Sequence, residues 1–165
     1  MAKGESSGVT RDQIVEGLQE DIAREYQAII QYIIYSQVLD GAPYMEIAKI
    51  LEEHAHEELD HAIAIAKQLD YFGAYPAHVP KPVQVPEDNE GMLWADLAAE
   101  DTTVANYRER ILQAQELGEF ALAEILQEII KQEQDHQIEL AAALGVVADP
   151  RERVGQGPGS KKSSS

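Results

Sequence analysis

The 165-residue chain contains no cysteine. Disulfides, zinc–thiolate sites, iron–sulfur clusters and thiol nucleophiles are therefore excluded. Long apolar runs are missing too: no stretch reaches the ~18 residues that a membrane-spanning helix needs. The opening MAKGESSGVT lacks the apolar centre of a secretion signal, so a cytoplasmic protein with no membrane partner is expected. Bases are scarce, with 13 against 30 acids and a formal net charge of -17. Such a surface repels phosphate backbones, which argues against nucleic acid as a partner of the folded body. The same field attracts cations. Strand patterning is absent as well.

What is present is helix, with clear punctuation. The length suits one domain, and one large enough to bury a sizeable core. Thr10 followed by Gln13 reads as a capping box, and apolar periodicity then runs to Leu39. Asp40-Gly41-Ala42-Pro43 breaks the chain, with Pro43 suited to the first turn of a second helix that continues to Phe72 and stops at Gly73. Prolines at 76, 80, 82 and 86 make the next stretch an extended crossing loop. A third helix spans about Glu90 to Leu117, Gly118 interrupts, and a fourth runs from Glu119 to Leu144 before Gly145. Each is roughly 40 Å long at 1.5 Å per residue. Two short connections and one long one predict an all-α, antiparallel four-helix bundle over residues 11–145, with the crossover between helices 2 and 3. Residues 1–10 and 146–165 are expected to be flexible ends.

The inward stripes, traced at steps of three and four, carry acids in their middles. They read Ile14, Leu18, Ile22, Glu25, Ile29, Tyr32; then Ile47, Leu51, His54, Glu58, His61, Ile65, Leu69. The later pair reads Leu93, Leu97, Glu100, Val104, Tyr107, Ile111; then Leu122, Leu126, Ile129, Glu133, His136, Leu140, Leu144. Glu58 follows Glu25 by 33 residues, and Glu133 follows Glu100 by the same 33. Both second glutamates open Glu-x-x-His, and Tyr32 and Tyr107 each stand seven residues after the first glutamate. Segments 25–61 and 100–136 thus form an internal repeat.

Four carboxylates in an apolar core are prohibitively costly unless neutralised, and the stripes contain no lysine or arginine. Two divalent cations would balance them, with two imidazoles completing six ligands. Glu and His at i and i+3 share a helix face, so each pair can chelate one metal. Oxygen-rich coordination with one nitrogen per metal suits iron or manganese better than structural zinc.

At Glu25, Glu58-x-x-His61, Glu100, Glu133-x-x-His136 and the stretch EYQAIIQY, the chain resembles the ferritin superfamily, and within it the bacterioferritins and bacterioferritin-like (Dps-like) proteins. The resemblance covers residues 11 to 144 and implies a ferritin-like bundle. It also implies two irons per subunit, with manganese or zinc as substitutes. Glu58 and Glu133 would bridge them, Glu25 and Glu100 would cap one each, and Tyr32 would stand nearby. The implied activity is ferroxidation: Fe(II) is oxidised by O2 or H2O2, and ferric mineral is stored in a homo-oligomeric shell. Haem is not expected, because Leu59 stands where the haem-binding relatives carry methionine. The Gly- and Pro-bearing tail argues against the fifth helix of 24-subunit shells, favouring a shell of 12 built from dimers, or cargo of another compartment.

Other readings remain: a di-metal oxygenase, a peroxide-scavenging enzyme of catalase or rubrerythrin type, or a non-catalytic helical assembly or shell-cargo module. His54 is either an iron relay or a partly exposed helical histidine. Tyr32 and Tyr107 either serve electron transfer, hydrogen-bond a ligand carboxylate, or simply pack.

Overall fold

A computed structural model describes residues 8–160; the flexible ends expected for 1–7 and 161–165 lie outside the described residues. Four helices follow one another: α1 (Arg11–Val38), α2 (Met45–Tyr71), α3 (Asn89–Glu116) and α4 (Phe120–Leu144). Helix α1 packs along α2 and α3 along α4, while α1 also meets α3 and α2 meets α4. The result is the all-α bundle of two antiparallel hairpins that the connection lengths imply. No described helix is long and apolar enough to cross a membrane.

The helix ends follow local chemistry. Thr10 and Gln13 cap α1 reciprocally, so two otherwise orphaned N–H groups at its start are satisfied. Asp88 caps α3 by accepting from the Gly91 N–H at 2.7 Å. Pro43 differs slightly from expectation: it sits in a 3-10 turn, Ala42–Tyr44, just before α2. The α3–α4 turn passes through Gly118 at φ 75°, where Gly118 N–H donates to Gln115 O and Glu119 N–H reaches back to Ala114 O at 2.9 Å. Only glycine adopts that conformation without steric cost, and the paired bonds end α3 cleanly.

A row of polar side chains on α1 holds the crossover. Gln19 donates to Tyr75 O at 2.8 Å and accepts from Ala77 N–H at 2.6 Å; Gln27 donates to Pro82 O at 2.9 Å. Gln31 accepts from Gln84 N–H at 3.0 Å, and the Tyr35 hydroxyl donates to Gln84 O. Backbone groups of a proline-rich strap have no ladder of their own, so these side chains supply their partners.

The apolar interior is split in two. One cluster, with Leu18, Ile22, Ile65 and Leu126 among its members, fills the half nearer the α3–α4 turn. The other, around Tyr35, Leu51, Leu97 and Leu140, fills the half nearer the α1–α2 turn. Between them lies a polar layer, supplied by the middle of every helix.

Residues 146–160, expected to be flexible, are tied to the bundle: Val146 and Ala148 pack against the second apolar cluster, and Arg153 reaches α3. Arg153 is 9% exposed and donates to Val147 O at 2.7 Å and to Asp101 Oδ2 on α3 at 2.6 Å. The stretch contains turns and no further helix. A buried guanidinium with a carboxylate partner is a fixed contact, and charge-assisted bonds contribute more than neutral ones. Arg153→Ala is expected to lower unfolding stability by about 1.5–3 kcal/mol. Urea titration checks this, and unchanged stability would mean that the contact is idle.

Candidate metal centre

The predicted residues meet. Glu25 on α1, Glu58 and His61 on α2, Glu100 on α3, and Glu133 and His136 on α4 all lie in the central layer, each at most 2% exposed. Helical spacing brings them there: each occupies the inward stripe of its own helix, and antiparallel packing sets the mid-points at one level. Their donor atoms fall into two groups, each within 4.8 Å: Glu25, Glu58, His61 and Glu133, and Glu58, Glu100, Glu133 and His136. Glu58 and Glu133 belong to both.

Each imidazole faces carboxylates through Nδ1. His61 Nδ1 lies 2.9 Å from Glu58, 3.3 Å from Glu133 and 3.6 Å from Glu25. His136 Nδ1 lies 3.0 Å from Glu58, 3.2 Å from Glu133 and 3.5 Å from Glu100. Yet Glu25 Oε2, Glu58 Oε1, Glu100 Oε2, both oxygens of Glu133 and His136 Nδ1 have no hydrogen-bond partner. Apart from the His61 Nδ1–Glu58 Oε2 hydrogen bond, close approach without hydrogen-bond partners in a buried layer fits donor atoms grouped for cations rather than for one another. The residues present therefore suit a pair of divalent ions: four carboxylates shared between two nitrogens.

The outer contacts repeat across the halves. The Tyr107 hydroxyl donates to Glu25 Oε1 and the Tyr32 hydroxyl donates to Glu100 Oε1, so each half supplies the tyrosine for the other. Burial first, then the facing carboxylate, pushes both phenols well above their usual range, so they remain donors. Of the readings open for these tyrosines, the geometry carries the hydrogen bond to a carboxylate of the central layer.

Without a cation, the acids divide. Burial raises Glu58 well above the carboxylate range, helped by the charge of Glu133. Burial likewise pushes Glu133 up to about 8, with Glu100 and Glu25 adding to it. Burial would raise Glu25 and Glu100 too, but contacts from Glu58 and His61 lower the first, and His136 brings the second down to about 2. Burial opposes charge on both imidazoles, yet the surrounding carboxylates outweigh it and hold His61 and His136 in the protonated form.

Two expectations need correcting. His54 is not partly exposed: it is buried at 2%, stacks 3.9 Å from the His136 ring, and places Nε2 2.5 Å from Glu139. An inward arginine does exist, since Arg110 on α3 is buried and donates to Asp21 Oδ2 at 2.8 Å. It neutralises Asp21, one turn before Glu25, and leaves the four glutamates to themselves. Asp96, one turn before Glu100, is also buried and accepts from Gln31 at 2.9 Å. Both aspartates lie off the traced stripes, and their matching positions four residues before Glu25 and Glu100 are the signal of them in the repeat.

A four-helix bundle with two Glu-x-x-His pairs and two further glutamates in its central layer is the arrangement of helical bundles whose cores carry carboxylate–histidine metal sites. The chain matches the ferritin-like domain over residues 15–148 and belongs to that family. It is a bacterioferritin-like member of the ferritin superfamily. The bacterioferritin of Brucella melitensis is 26% identical over 150 residues, spanning 87% of this chain and 90% of its own length. A ferritin-like, diiron-carboxylate protein of Bacillus anthracis str. Ames superposes with a TM-score of 0.78 at 31% identity, over 81% of this chain and 96% of that one. A dodecameric thioferritin, the bacterioferritin-related protein of Bacteroides fragilis, shares the fold with a TM-score of 0.76 at 22% identity, over 83% and 87% of the two chains.

Proposed function

We propose that the protein is a ferroxidase whose substrate is Fe(II), taken up two ions at a time and oxidised by O2 or H2O2 for iron storage or detoxification. The observation that carries this reading is the pair of donor groups sharing Glu58 and Glu133, which suits two ions side by side. In this reading Glu25 and Glu100 each cap one ion, while His61 and His136 each add one nitrogen. Tyr107 and Tyr32 orient the capping carboxylates through their hydroxyls. Two Fe(II) give up two electrons, which with two protons reduce O2 to H2O2 or H2O2 to water. The protein's part is to hold both ions close and in a dry site, so that the two electrons leave together.

The likeness to a diiron-carboxylate protein at 31% identity supports iron over manganese or zinc as the native metal. The absence of a methionine at Leu59 supports a centre that works without haem. For assembly we infer a homo-oligomer built from dimers, with 12 subunits favoured over 24, because residues 146–160 carry turns and no fifth helix.

Aerobic stopped-flow absorbance after Fe(II) addition tests the activity. The expected trace shows a fast phase that saturates at about two Fe(II) per chain and disappears when Zn(II) is added first. Iron that co-elutes with protein on gel filtration would support storage. Oxidation no faster than in buffer alone would overturn the proposal.

A further inference from the structure

The two donor groups are built alike but backed differently. The halves of the chain repeat with an offset of 75 residues, the interval from Glu25 to Glu100 and from Glu58 to Glu133. Under that offset Glu57 corresponds to Gln132, His54 to Ile129, and Glu139 to Ala64. The structure puts Glu57 and Gln132 in equivalent places. His136 Nε2 lies 2.6 Å from a carboxylate oxygen of Glu57, whereas His61 Nε2 lies 2.7 Å from the amide oxygen of Gln132. His54 stacks on His136 and is bonded to Glu139, whereas their counterparts Ile129 and Ala64 belong to the apolar cluster and its fringe.

Either oxygen fixes the ring so that Nδ1 faces the glutamates. Only Glu57 adds a negative charge behind the ring. A carboxylate accepting from the far N–H makes an imidazole a stronger metal ligand, and removing such a partner typically costs 10–100-fold in affinity. A neutral amide orients the ring without that gain. The other pair of unlike contacts does not offset this, because Asp21 is balanced by Arg110 and Asp96 is kept toward its neutral form by burial beside Gln31.

We propose that the two positions bind cations unequally: the one formed by Glu58, Glu100, Glu133 and His136 fills first and more tightly, and Glu57 is the positioning residue that makes it so. This rests on the di-metal reading above and deepens it. The ion beside His136 is held when the second arrives, so occupancy proceeds in a set order across the bundle. Glu57 is 41% exposed at its side chain, so the charge behind His136 also faces the solvent from which a cation comes.

Calorimetric titration of the metal-free protein with Co(II) tests the order without reference to turnover. Wild type is expected to bind in two resolved steps whose dissociation constants differ by about 10–100-fold. Glu57→Gln should weaken the tighter step by that factor and merge the two. Gln132→Glu should strengthen the weaker step and merge them at the higher affinity, a gain that damaged folding cannot imitate. The exchange Glu57→Gln with Gln132→Glu should restore two steps, and His61→Ala should then remove the tighter one, whereas in the wild-type background His136→Ala removes it. Two equal steps in wild type, or a gap that ignores both substitutions, would overturn this inference while leaving the di-metal centre standing. Failure to bind Co(II) at all would overturn the di-metal reading itself.

Discussion

Loading the metal-free protein with two divalent cations at pH 7 releases about four protons per chain. The count comes from the charge states of the buried layer. Glu58 is held well above the usual range by burial and by Glu133, and Glu133 itself lies at about 8, so at pH 7 both carry a proton. His61 and His136 are held protonated by the carboxylates around them, against the opposing effect of burial. Glu25 and Glu100 are shifted down and stay ionised. Two negative and two positive charges cancel, so the layer is neutral without metal. With two cations bound it is neutral again, provided that all four carboxylates are ionised and both imidazoles are bare. An interior this dry tolerates little uncompensated charge, so the cations' four positive charges displace four protons.

The sign for affinity follows. Protons leave on binding, so acid opposes loading and apparent affinity climbs as pH rises. The climb slackens above about 8, where Glu133 no longer starts protonated and the count falls toward three. Zn(II) titration in a weakly buffered indicator solution reads the protons directly, and the same titration at pH 6 and pH 8 reads the affinity. Release of one proton or none, with affinity indifferent to pH, would show that the layer is not neutral by protonation.

The architecture was legible because periodicity and punctuation agree. Thr10, Gly73, Gly118 and Gly145 bound the helices where the structure ends them, and the prolines force the crossover. That the six glutamates and histidines meet in one buried layer was legible because they break the apolar stripe at repeated spacing, which a fold does only for a compensating interaction. What surrounds them was not. Asp21, Asp96 and Arg110 are polar residues on helix faces where polar residues ordinarily meet solvent, and only packing of α1 on α3 reveals that they are buried. The burial of His54 is hidden for a related reason. It lies on the inward face, yet whether such a histidine reaches water depends on the neighbouring helix, and His136 and Glu139 of α4 close over it. The tail from 146 was read from its glycines and prolines, which report backbone freedom and nothing of the salt bridge that Arg153 makes with Asp101.

Arg110→Ala is expected to be among the most damaging single changes outside the donor set, lowering stability by about 3–5 kcal/mol. Arg110 is 7% exposed and its Nε donates to Asp21 Oδ2 at 2.8 Å, while Nη1 donates to Gln113 at 2.5 Å. Removing it leaves Asp21, itself 2% exposed, with only the distant Arg24 Nη1 at 3.4 Å. Burial already raises the Asp21 pKa, and Arg110 is the largest force pulling it back. The sequence has made room for this pair: a methyl group at Gly17 would stand 1.9 Å from the Arg110 guanidinium carbon. Gly17→Ala should therefore destabilise as well, despite the better helix propensity of alanine. The related acid Asp96 behaves differently, because its partner Gln31 is neutral and burial holds it toward the uncharged form. Asp96→Asn should be nearly silent, whereas Asp21→Asn should cost much of what Arg110→Ala costs. A double-mutant cycle between Asp21 and Arg110 by chemical denaturation isolates their coupling. If Arg110→Ala unfolds at the wild-type midpoint, the pair is ornamental, and α3 is held on α1 without it.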